Sequence, residues 1–237
     1  MPRRLTRRQI KQDQFVGLVD RAAHWLTANW RQAAIGLGVP LALALLYWAG
    51  AALLGSRTAA ASRALTAALE TYNAPVGTTV PATAKVFFAT DQERLNAAEK
   101  AFDRIARRYW LTPQSRLATL HLANIAAQRG DNAKAVRLLS EITEKRTADP
   151  VVAQAMLSLI RLRIAAGEAQ QLVPDLEAMI DGKDPRLPRD VALYQLAQLR
   201  EREGRQDEAT RLYRKLVETY TESPYLYEAR QRLGSSS

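Results

Sequence analysis

Three glycines stand at one fixed interval: Gly130, Gly167 and Gly204 are 37 residues apart. Other residues keep the same register. Counting on from Gly130, Ala135, Leu139 and Pro150 fall at five, nine and twenty, as Ala209, Tyr213 and Pro224 do from Gly204. Counting back, Leu122 and Ala123, then Leu196 and Ala197, stand eight and seven residues before their glycine. The middle unit holds those two places with Leu159 and Ile160. A period of this length asks for a stack of similar supersecondary units rather than one undivided core.

Each unit reads as two helices. "RLATLHLANIAAQRG" is the first helix of the first unit, closed by a glycine that can take a left-handed backbone. The second helix carries Ala135 or Ala209, and Pro150 and Pro224 are expected to stop it. The small residues let two antiparallel helices approach closely, while Leu139 and Tyr213 reach toward the next unit. The middle unit departs from this plan. It has Ile160 and Leu172 where small residues are expected, and Pro174 in the first turns of its second helix.

The register extends backwards. Glu93 replaces the glycine, yet Ala98, Phe102 and Pro113 fall at five, nine and twenty. Thr90 and Glu93 make a capping-box pattern. "TDQERLNAAEKAFDRIARRYWLTP" is therefore expected to be the second helix of a partial N-terminal unit, and "SRALTAALETY" (62–72) its first. A loop at 73–89 separates them, with Phe87 and Phe88 folding back as a cap. These assignments divide the chain into a cap and partial repeat at 55–113, repeats at 114–234 and a tail at 235–237. "YLYEARQRL" reads as a short closing helix.

Ahead of the repeats, residues 33–54 read "AAIGLGVPLALALLYWAGAALL", 22 residues without a charge. As a helix they would span about 33 Å, enough for a hydrocarbon core of about 30 Å. Pro40 lies inside and is a place for a kink. Residues 1–32 hold seven Lys or Arg and two acids. Only Arg57 and Arg63 lie within twenty residues after the apolar run. The positive-inside rule then puts the N-terminus in the cytoplasm and the C-terminal part outside, in a bacterium the periplasm. The long polar stretch before the run argues for a retained anchor rather than a cleaved signal. Within the basic head, Phe15, Val19, Ala22, Leu26 and Trp30 form one helical stripe. Two readings fit it: a helix lying on the inner leaflet, or the first turns of the membrane helix.

Composition removes several chemistries. There is no cysteine, so disulfides and thiolate sites are excluded. The net charge of +10 is split between the dense head and a mixed-sign body: residues 55–237 hold 27 basic and 22 acidic residues. A nucleic-acid binder more often gathers its excess on one face, so nucleic acid is not expected as a partner. No nucleophile elbow, zinc-protease motif or phosphate loop occurs. No catalytic residue, cofactor or metal site is expected, and His121 reads as a packing or groove residue.

A hairpin with a small residue in each helix, a glycine turn and a closing proline resembles the tetratricopeptide repeat, whose usual length is about 34 residues. The resemblance covers residues 114–224. It implies an all-α chain: one N-terminal transmembrane helix, then an α-solenoid of about three full 37-residue repeats plus a partial one. It also implies a partner-binding groove lined by the first helices, ten and six positions before each glycine. Those positions are Leu120 and Asn124, Leu157 and Arg161, Tyr194 and Gln198. The whole layout is similar to the family of the ancillary subunit of the bacterial SecYEG translocon, which shares its repeat domain with the periplasmic cell-division coordinator. That likeness implies an inner-membrane adaptor, not an enzyme. Its partners would be proteins or peptides in the groove, translocon subunits or envelope chaperones. Two alternatives remain: a scaffold for envelope or division complexes, and a regulator signalling through its cytoplasmic head.

Overall fold

A computed structural model of the chain describes residues 29–77 and 85–235. The head and amphipathic stretch up to residue 28, the loop segment 78–84 and the last two residues lie outside it. Among the described residues every regular element is helical. They are α1 (Trp30–Tyr72), α2 (Asp91–Arg108), α3 (Pro113–Gln128), α4 (Asn132–Thr143), α5 (Pro150–Ala165), a 3-10 turn (Ala169–Leu172), α6 (Val173–Ile180), α7 (Arg189–Arg202), α8 (Gln206–Thr219) and α9 (Leu226–Ser235). One isolated bridge joins Val76 and Phe88, closing the loop after α1, and Phe87 and Phe88 are half-buried there.

The chain divides into two compact units, residues 1–57 and 58–237. In the first, the described side chains from Val39 to Ala49 are all exposed. Leu46, Tyr47 and Trp48 are 69–75% exposed. Among the described residues, α1 is the one helix long and apolar enough to cross a membrane. It is continuous through Pro40 and does not end at Leu54. The separate helix expected from Ser62 is instead the last part of α1. The reason lies in "TAAASRALTAALE", a run dominated by strong helix formers with no Gly or Pro to stop it.

The second unit is built from the repeat. Seven residues before each glycine stand Ala123, Ile160 and Ala197, none more than 1% exposed. Five after stand Ala135, Leu172 and Ala209, all at 0%, and nine after stand Leu139, Leu176 and Tyr213, at 2% or less. The 37-residue register is thus a register of burial. Consecutive helices from α2 to α5 and from α6 to α9 pack on one another. Their apolar faces form three clusters: one of α1 to α3 around Phe102, one of α3 to α7 around Met156, and one of α7 to α9 around Tyr213.

The glycines act as expected. Gly130, Gly167 and Gly204 have φ of 78°, 77° and 73°. Each closes a Schellman motif: Gly130 N–H donates to the Ala127 carbonyl and Asp131 N–H to the Ala126 carbonyl, with the same pair of bonds at Gly167 and Gly204. A Cβ at Gly204 would meet nothing within 4 Å, so strain there comes from φ alone. Gly204→Ala is expected to lower the unfolding free energy by about 1–2 kcal/mol in calorimetry, with Gly204→Asn costing less.

The prolines act differently from the sequence expectation. α4 ends at Thr143 and α8 at Thr219, well before Pro150 and Pro224. Pro113 and Pro150 instead open α3 and α5, where the missing N–H costs nothing and the fixed φ suits a helix start. The degenerate middle unit breaks its second helix into the 3-10 turn and α6, with Pro174 in the first turn of α6. Half of the Thr90 capping box forms, Thr90 Oγ1 accepting from Glu93 N–H at 3.2 Å.

Candidate partner-binding surface

The first helices carry the six groove positions, and the structure treats them unequally. Leu120, on α3, is 4% exposed and belongs to the middle core. Tyr194, on α7, is 8% exposed. Its ring stacks on Tyr225 at 4.2 Å and lies 6.0 Å from Tyr213. Burial, with help from Glu228, pushes its phenol pKa up, so it stays protonated. Leu157 is half-buried against the middle core. The positions six before the glycine remain more open: Asn124 and Gln198 are half-buried and Arg161 is exposed. Gln198 Nε2 donates to the Tyr194 hydroxyl at 3.0 Å, and Arg161 Nη2 donates to Ser158 Oγ at 2.8 Å. The first-helix face therefore offers amide and guanidinium heads over an apolar floor. Its apolar positions Leu120, Leu157 and Tyr194 are all engaged in packing.

Two clefts lie where α3 meets the second helices α2 and α4. A cleft of about 440 Å³ between α2, α3 and α4 is lined by Arg107, Trp110, Arg116, Thr119 and Glu141, among others. A neighbouring one of about 390 Å³ is bordered by Glu99, Asp103, Lys134 and Arg137. Sequence reasoning passed over these clefts, although "RRYWLTP" places a Trp-Leu pair between two arginines and a helix-opening proline.

Three carboxylates near these clefts, Glu99, Asp103 and Asp149, are engaged in ion pairs. Glu99 accepts from Lys134 Nζ at 2.6 Å and from Arg129. The Lys134 hydrogen bond is the main influence holding its pKa below the ordinary value. Burial pushes the Asp149 pKa up, but the Val151 N–H and the Arg116 guanidinium, at 2.5 Å, together hold it down. His121 stacks face to face on Phe102 at 4.7 Å and meets Tyr72 edge-on at 5.6 Å. Burial lowers its pKa, so the imidazole is neutral and packs as an aromatic. Among the described residues, no group of three or more His, Asp or Glu is placed to hold a metal.

No family model and no curated protein matches this chain.

Proposed function

We propose that this protein is a membrane-anchored tetratricopeptide adaptor of the bacterial envelope, with its repeat domain in the periplasm. The observation that carries the reading is the coincidence of sequence period and burial period: nine repeat positions, three per unit, are at most 2% exposed. Stacked hairpins of that kind bury a continuous core and leave their first helices as a binding face. The exposed apolar part of α1 supports a single membrane anchor. The basic surplus before it supports a cytoplasmic N-terminus. In this role the first-helix face would hold partner segments beside the SecYEG translocon.

A second reading has an observation in its favour. With Leu120 and Tyr194 largely buried, the face is more polar than an unfolded apolar client needs. That favours a scaffold for folded envelope or division proteins. Photo-crosslinking from position 161 of the full chain, in membranes of its own host, separates the two. Translocon subunits or a spread of secreted chains would support the adaptor. One stoichiometric folded partner would move the function to the scaffold. In either case Arg161→Glu at the neighbouring contacts is expected to abolish capture by a crosslinker at Gln198, and unchanged capture would remove Arg161 from the site.

A further inference from the structure

From Lys100 onward the exposed face of α2 is a basic stripe. Lys100, Arg104, Arg107 and Arg108 repeat at helical spacing and are all exposed, while Leu95, Ala98, Phe102 and Ile105 fill the opposite, buried face. Asp103 is the one acid within the stripe, and it pairs with Arg107 at 2.9 Å. Among the described residues, Arg104 and Arg108 have no carboxylate partner. The stripe ends at a turn bearing Trp110 and Leu111, which are 71% and 55% exposed. Two adjacent large apolar side chains facing water at the end of a cationic stripe are the chemistry of a membrane-surface contact. The cations meet phosphate headgroups, and the indole enters the interfacial layer.

The position of the turn within the second unit fits this use. Gln114, just after the turn, donates from Nε2 to Ser62 Oγ at 3.0 Å. The turn thus sits beside Ser62, near where the chain enters this unit at Thr58. Leu54, the end of the charge-free run, is eight residues before Ser62. Even a fully extended chain of that length reaches only about 29 Å, so a membrane-anchored α1 would hold the turn close to a lipid surface.

We infer that the α2 stripe and the Trp110–Leu111 turn form a second membrane contact, selective for anionic phospholipid. The inference rests on the anchored reading above. An acidic peptide could meet the four cations, but it gives no reason for the exposed indole and leucine beside them.

The test uses the full chain with Trp25, Trp30 and Trp48 replaced by Phe, so that Trp110 is the only indole, reconstituted into vesicles. In phosphatidylglycerol-containing vesicles, Trp110 emission is expected to shift to the blue and to be quenched by brominated lipid. In pure phosphatidylcholine, or in the Arg104→Glu, Arg108→Glu variant, both effects should be lost. Helical circular dichroism of that variant confirms that it is folded. Flotation is read in the same samples. A chain that floats but keeps a water-like, unquenched Trp110 overturns this inference alone. Equal quenching in both lipids overturns the anionic selectivity. A Trp110 that responds only to added polyglutamate assigns the face to a protein partner and also overturns it. A chain that fails to float removes the anchor, and the inference with it.

Discussion

Arg186→Ala is expected to lower the unfolding free energy of the protein by about 3–5 kcal/mol. Asp184 is 1% exposed and Arg186 6%, in the turn between α6 and α7. The guanidinium holds Asp184 through Nε at 2.9 Å and Nη2 at 2.6 Å, and it reaches Asp175 at 3.0 Å. Burial pushes the Asp184 pKa up, yet the hydrogen bonds and charge of Arg186, with Arg146, together hold it below the ordinary 3.8. The sign follows. In the native protein this carboxylate adds stability that is present above pH 3.8 and lost as pH falls through its lowered pKa. Without Arg186, burial dominates and the pKa rises above that of the unfolded chain. The variant's deficit is then largest near neutral pH and narrows on acidification. Calorimetry in detergent should show a midpoint lower by on the order of 10 °C at pH 7. Asp184→Leu with Arg186→Met, which removes both charges, should recover most of the loss. A single variant within 1 kcal/mol of the parent, or one whose deficit does not change with pH, would sink this account.

That pair also shows where sequence reading stops. "KDPRLP" carries a local signal, since Asp184 Oδ1 accepts from the Arg186 N–H two residues on, at 3.1 Å, across a proline. Nothing local shows that the turn is buried. That follows from the neighbours it meets, including the Thr143 carbonyl at the end of α4 and Met156 of α5. The repeat was legible for the opposite reason. A left-handed backbone at a helix end selects glycine, and a close helix crossing selects alanine, so Gly204 and Ala209 record their geometry in their own side chains. Pro150 was legible as a boundary but not as which one, because a proline seven residues past the end of one helix is also the first residue of the next. The groove was least legible. The resemblance implied Tyr194 as a groove residue, but stacking by Tyr225, from the closing segment 31 residues later, makes that position a packed ring instead of an open anchor.

Phe102→Ala should come next in size, with a loss of about 3–5 kcal/mol. Phe102 is 0% exposed, at the nine-residue position of the partial N-terminal unit. Its ring packs against both His121 of α3, stacked at 4.7 Å, and Tyr72 of α1, edge-on at 6.1 Å. It thereby joins the last turn of α1, the buried face of α2 and the first full repeat. A loss of that size would mean the cap is part of one cooperative core with the repeats. Truncation opens a cavity beside the imidazole. Water admitted there would relieve the burial that now depresses the His121 pKa, which should climb back toward 6.5. Unfolding in urea measures the stability, and the His121 ring-proton titration in the folded variant reads the pKa separately. Phe102→Leu, which keeps most of the volume, should cost less than about 1.5 kcal/mol. If Phe102→Ala costs under 1 kcal/mol and leaves the His121 titration in place, the ring is not what couples α1 to the repeats. The N-terminal unit would then be held mainly by its ion pairs, Arg129 and Lys134 on Glu99.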